Sequence, residues 1–282
     1  MLRSLQIENF KCFGSPAQTV RLAPLTLLFG QNNAGKSTIL QSLLLLRQSL
    51  DSAAYRPQLS LNGACFGGGS FRDVVHRHDM RREVRLVLQF DLEDKARSRV
   101  DLAFDAHEPD PPRLSSMELT TAGFDRMAVK RGRGHGGPYE LWIGDKKQGG
   151  ERAANFSFLA GGFLPIFGDE PPMRGRPSER RRDARSAGRD AIQTLAGLLL
   201  GMRAVGPFRR SPERRYEHTG PPADRLDVTG AHAVEALVHD ALSRRHRRAG
   251  CSWSRSPRST SIPTHSSPWR TSSWISPGPG AR

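Results

Sequence analysis

The run Gly30-Gln31-Asn32-Asn33-Ala34-Gly35-Lys36-Ser37 matches the phosphate-loop pattern G-x-x-x-x-G-K-[ST] without a mismatch. Its flanks agree with it. Leu25-Thr26-Leu27-Leu28-Phe29 reads as an apolar strand leading in, and Ser37 to Leu50 reads as a helix leading out. That helix has apolar side chains at Ile39, Leu40, Leu43, Leu44 and Leu46. A strand that turns through glycines into a helix N-terminus gathers unpaired N–H groups and the positive end of the helix dipole at one point. Gly30 and Gly35 permit backbone that a side chain would block. The pattern predicts a triphosphate cradle built from Gly30, Gln31, Asn32, Asn33, Ala34, Gly35, Lys36, Ser37 and the adjoining Thr38. Lys36 is expected to reach the β- and γ-phosphates, and the Ser37 hydroxyl to ligate Mg²⁺.

The rest of the chain reads as mixed α/β. Leu5, Ile7 and Phe10 alternate with polar neighbours in an opening strand, and Thr19 to Leu22 suggests its return. Beyond the helix, Glu83–Leu92, Val100–Phe104, Met117–Thr121, Arg126–Lys130 and Tyr139–Ile143 are strand candidates separated by turn-rich pieces. They predict an antiparallel β-subdomain, about 80–145, inserted into a nucleotide-binding unit with a parallel core strand. Gly161 to Gly188 reads as a loop with an arginine-dense run, Arg174, Arg176, Arg180, Arg181, Arg182, Arg185 and Arg189. This run reads first as a solvated loop and second as a nucleic-acid contact. Helices are predicted at Asp190–Met202 and Ala231–Ser243, with a short strand or turn at Val205–Arg209 between them.

Composition narrows the setting. No apolar run approaches the roughly 18 residues needed to span a membrane, and Met1–Gln6 does not open a signal peptide. Cys12, Cys65 and Cys251 are scattered, and the nearest approach to a histidine ligand pair is His76-x-His78. A reducing cytoplasm is expected. The net charge of +15 is uneven: the segment from Arg244 holds eight arginines and no acid, which leaves +7 on the first 243 residues.

That segment, 244–282, is dominated by Ser, Arg, Pro and Trp and has no periodicity, so it cannot bury enough surface to fold alone. The sequence predicts a phosphate-loop domain over 1–243, which the resemblance described next makes a partial ATPase domain, followed by a basic, disordered tail. The tail reads first as an out-of-frame translation that truncates the domain, and second as a nucleic-acid-binding extension.

Three pieces together resemble the ABC-type ATPases of the SMC, RecF and OLD-like group, and more narrowly a family of prokaryotic AAA-labelled ATPases. They are Leu5-x-Ile7-x-Asn9-Phe10-Lys11-Cys12-Phe13 with the phosphate loop through Thr38, Phe71-Arg72-Asp73-Val74-Val75-His76, and Val205 through Tyr216. The resemblance covers roughly residues 1 to 243. It implies an α/β P-loop NTPase fold like an ABC-ATPase head with the C-terminal part of the domain missing, ATP and Mg²⁺ as ligands, and a homodimer closing over the nucleotide. It also implies DNA as a partner, with work in DNA maintenance or phage defence. No guanine-specific N/T-K-x-D piece is present, which favours ATP over GTP.

In that group a signature motif, an aspartate–glutamate pair and a histidine complete the site late in the chain. None is found beyond residue 243, so the catalytic residues are unknown. Gln148-Gly149-Gly150-Glu151-Arg152 imitates the signature. Phe163–Phe167 followed by Asp169-Glu170 imitates the acidic pair, but Pro165 and Gly168 argue against a central parallel strand there. Asp91, at the end of Leu86–Phe90, is weaker still. Two rival expectations therefore remain: a nucleotide-binding fragment without turnover, and a basic nucleic-acid-binding protein.

Overall fold

The computed structural model describes residues 1–205 except 53–55, 93–95, 123, 135, 153, 159–161 and 169–178. Residues 206–209 of the expected turn, the helix expected at 231–243, the tail, and Asp169 with Glu170 lie outside the described residues.

Alternation of apolar and polar residues builds most of what is seen. In β1 (Leu2–Glu8) Leu5 and Ile7 are fully buried while Gln6 and Glu8 face the other way. β2 (Gln18–Arg21) returns beside it, with Leu5 opposite Val20. Then come β3 (Val84–Asp91), β4 (Arg97–Asp105), β5 (Arg113–Thr121), β6 (Phe124–Arg131), β7 (Tyr139–Ile143) and β8 (Lys146–Gly150). All eight share one sheet in the order β2-β1-β3-β4-β5-β6-β7-β8, antiparallel throughout.

One face of the sheet carries the core: Leu5, Ile7, Leu86, Leu88, Val100, Leu102, Met117, Leu119, Met127 and Leu141. The opposite face is polar and laced with ion pairs. Arg85 grips Asp101 through two hydrogen bonds of 2.7 Å, Arg3 meets Asp91 at 2.6 Å, and Lys147 meets Glu140 at 2.7 Å. A half-solvated antiparallel sheet requires this division of side chains.

Helix α1 (Lys36–Leu50) buries Ser42, Leu45, Leu46 and Ser49 but leaves Leu40 55% exposed. Its Gln48 side chain fastens the following loop. The amide oxygen accepts from the Cys65 and Phe66 N–H groups at 2.9 Å, and the amide nitrogen donates to the Ser60 and Phe66 carbonyls. A short helix α2 (Phe71–Val74) and a 3₁₀ turn (His76–His78) follow. The Ser70 N–H donates to the Asp73 carboxylate at 2.8 Å to start α2, a bond that holds this carboxyl below its usual range. Helix α3 (Glu179–Leu200) packs on α1, β5 and β6. It comes so close that a Cβ at Gly188 would lie 2.7 Å from the Met127 methyl carbon.

Three expectations change. The antiparallel strands are present but are not confined to 80–145, because β1 and β2 belong to the same sheet. Residues Leu25–Phe29 form no strand: Leu25, Leu27 and Phe29 are 77%, 65% and 85% exposed, and every strand pair among the described residues is antiparallel. A strand needs a neighbour to take its N–H and C=O groups, and among the described residues nothing pairs with this one.

The third change is α3, which starts at Glu179, inside the segment read as a loop. Its Arg185 is buried and donates to the carbonyls of Ala154 at 2.8 Å, Asn155 at 3.1 Å and Gly168 at 3.3 Å. This arginine is a structural tie. Phe163–Phe167 also resolves: β10 (Pro165–Phe167) pairs antiparallel with β9 (Phe156–Phe158) in a two-stranded sheet of its own.

Candidate functional site

The phosphate loop wraps the N-terminus of α1. Asn33 (φ 66°) and Gly35 (φ 86°) both take left-handed backbone, and Gly35 is the residue from which the helix departs. Alternation of left- and right-handed residues turns successive N–H groups toward one side, which forms an anion-binding concavity. The Ala34 N–H closes the loop on the Gln31 carbonyl at 3.2 Å, and the Ile39 N–H begins the helical ladder on Gly35 at 3.1 Å.

Two negative features of α1 bear on what sits there. Its first turn has no side-chain cap and no acidic residue. A 15-residue helix ordinarily satisfies its leading N–H groups with a Ser, Thr or Asp side chain. Here the positive end of the helix is kept open, as an anionic ligand requires.

Lys36 lies across this opening. Its ammonium donates to the Gly30 carbonyl at 2.7 Å and to the Gln31 carbonyl at 2.6 Å, which leaves one of its three N–H groups over. Ser37 is exposed beside it. Thr38 is buried, and its hydroxyl accepts from the Cys12 thiol at 3.7 Å. What Thr38 can offer a phosphate is therefore its amide N–H. A cationic side chain, an exposed hydroxyl and an uncapped helix end fit the magnesium complex of a triphosphate. Residues Gly30 to Ser37 form one continuous loop running into the first turn of α1.

The wall behind the loop was not predicted. A Cβ at Gly35 would lie 2.8 Å from Cys12 Sγ and 2.9 Å from Phe13 Cζ, so the turn after β1 presses directly on the loop. Lys11 in that turn donates to Gln41 Oε1 of α1 at 2.8 Å and lies 4.8 Å from the centre of the Phe66 ring. Partial burial draws its ammonium below the usual lysine range, opposed by the neighbouring Cys12.

The imitations fall elsewhere. Gln148, Gly149 and Gly150 lie in β8, an edge strand with no helix N-terminus. Asp91 is bound to Arg3 at the end of β3. His76 and His78 do not converge, since the Nδ1 of each faces a carbonyl, that of Lys11 and that of Arg72. Among the described residues no group of His, Cys, Asp and Glu could hold a metal ion, and no helix is long and apolar enough to cross a membrane.

One family model matches part of the chain. Residues 1–110 match the family model of the AAA ATPase domain. The matched part holds the phosphate loop, α1, α2 and β1 to β4, and is similar to an AAA ATPase domain. A solved structure described as "Structural biochemistry of ATP-driven dimerization and DNA stimulated activation of SMC ATPases" is similar at 15% identity. It covers 66% of this chain and 98% of its own, with a TM-score of 0.23. At that score the likeness carries no weight, and the similarity to the AAA ATPase domain is confined to residues 1–110. No curated protein matches the chain.

Proposed function

We propose that this chain binds ATP as its magnesium complex at residues 30–38. One observation carries the reading: an uncapped helix N-terminus, free of acidic residues, lies under a loop whose lysine reaches across the opening. The backbone N–H groups of 31–37 and the Lys36 ammonium hold the phosphate oxygens. Lys36 exchanges two neutral carbonyls for anionic oxygens, which are the stronger acceptors. The Ser37 hydroxyl holds the metal, and Mg²⁺ supplies neutralisation of charge on the β- and γ-phosphates.

By its likeness to the SMC, RecF and OLD-like group, the protein acts in the cytoplasm as a nucleotide-dependent homodimer. It couples ATP to DNA maintenance or phage defence. In this proposal residues 1–243 make up the ATPase unit and 244–282 stand outside it.

A specific geometry favours a second reading, nucleotide binding without turnover. β8, with its signature-like Gln148–Gly150, lies six strand spacings from β1, roughly 29 Å at 4.8 Å each. Asp91 is engaged by Arg3. The Lys36 ammonium itself bonds the Gly30 and Gln31 carbonyls and neither of these pieces. Phosphate release measured with and without duplex DNA separates the two readings. Turnover that disappears in Lys36→Ala supports the ATPase, and tight Mg-ATP binding with no turnover under either condition supports the second reading.

A further inference from the structure

The segment Phe71–His76 has no role in the site as described so far, yet it ends on the turn that backs the phosphate loop. That turn, Asn9–Gly14, contains two non-glycine residues in left-handed backbone, Asn9 (φ 55°) and Lys11 (φ 50°). Such a conformation persists only where the surroundings over-determine it. Its internal bonds are few, Phe13 N–H to the Phe10 carbonyl at 2.9 Å and Asn9 N–H to the Gly14 carbonyl at 3.4 Å.

The restraint comes from residues 74–76. The Lys11 N–H donates to the Val74 carbonyl at 2.7 Å, and the His76 N–H donates to the Asn9 carbonyl at 3.0 Å. The His76 ring completes the clamp, with Nδ1 2.8 Å from the Lys11 carbonyl oxygen. A carbonyl can only accept, so Nδ1 carries the proton. On its other side the ring abuts Gly14, where a Cβ would lie 2.8 Å from Nε2. One imidazole thus fixes both the middle and the end of the turn.

From the turn, three contacts run to the nucleotide site. Cys12 and Phe13 press on Gly35, the Cys12 thiol donates to Thr38, and the Lys11 ammonium donates to Gln41. We propose that His76 is a positioning residue for the phosphate loop, acting through the Asn9–Gly14 turn to hold Gly35 and the first turn of α1 in the shape that receives phosphate. The inference rests on the nucleotide reading above.

The test is Mg-ATP titration of the full chain, with melting followed in parallel, for wild type, His76→Ala, His76→Asn and Gly14→Ala. Asn places an amide N–H near the position of Nδ1. His76→Ala is expected to weaken binding on the order of tenfold or more. His76→Asn should restore it to near the wild-type value, whatever the two variants do to the melting temperature. Gly14→Ala must displace the ring and should weaken binding like His76→Ala, which keeps the idea testable if the alanine variant does not fold. Wild-type affinity in His76→Ala or in Gly14→Ala overturns the inference, as does an asparagine variant as weak as alanine. If wild type itself fails to bind, the nucleotide reading falls and takes this inference with it.

Discussion

Cys12 Sγ occupies the space that a side chain on Gly35 would need, 2.8 Å from the position of its Cβ. Gly35 is thus fixed twice, by its left-handed backbone (φ 86°) and by the side chain pressed against it. Gly35→Ala meets both penalties. The conformation alone costs about 1–2 kcal/mol, and the contact must be relieved by moving the loop or the turn. The expected outcome is loss of Mg-ATP binding by at least tenfold, measured by equilibrium titration, with the sheet still folded by circular dichroism.

Arg185 offers a test of the packing of α3. Its guanidinium is buried and supplies donors to three backbone carbonyls, on Ala154, Asn155 and Gly168. Arg185→Ala removes this donor from all three, of which Gly168 keeps a bond from Arg189 at 3.2 Å, and should cost about 2–3 kcal/mol in urea unfolding. Arg185→Lys is expected to recover less than half of that, because an ammonium cannot fork across three acceptors as a guanidinium does.

Tyr139 gives the fold an alkaline limit. Its hydroxyl donates to the Leu114 carbonyl at 2.7 Å, and burial pushes its pKa up to about 12, opposed by Arg131. The folded value lies above the unfolded one near 10. This contribution is therefore fully present below about pH 10 and is lost as pH rises through about 12. Ultraviolet titration should show a tyrosinate appearing only near pH 12. Tyr139→Phe should flatten the fall in stability over that window, at a cost near neutral pH of about 1 kcal/mol for the lost hydrogen bond.

Leu25, Leu27 and Phe29 place three apolar side chains in water next to the phosphate loop. Exposed apolar clusters promote association. Leu27→Lys combined with Phe29→Lys should raise the protein's solubility several-fold and leave its melting temperature within about 2 °C. The stability effect is small because exposed substitutions of this kind change stability by about 0.5 kcal/mol or less. Light scattering against concentration checks the first outcome and a thermal scan the second. A drop of many degrees would mean that these side chains are packed.

Local pattern carried much of this fold. The phosphate loop, α1 and the strands from Val84 to Ile143 follow from spacing alone, because each is signalled by its own residues. The first half of α3 was hidden because its inward face is made of Ala184, Gly188 and a buried arginine, which give almost no hydrophobic signal. Leu25–Phe29 misled in the opposite direction: the pattern is strand-like, but a strand is a property of a pair. The wall behind the phosphate loop was invisible for a related reason. Cys12 meets Gly35, and His76 meets Lys11 and Gly14, through contacts distant in sequence that nothing local to any of them announces.

The account stands on the phosphate loop taking a triphosphate, and titration calorimetry of the full chain with ATP and Mg²⁺ measures that directly. The expected result is a saturable heat with one site per chain, absent in Lys36→Ala and present again when that variant is replaced by wild type. A folded wild-type protein that gives no heat at saturating Mg-ATP, or a Lys36→Ala variant that binds as tightly as wild type, would contradict it.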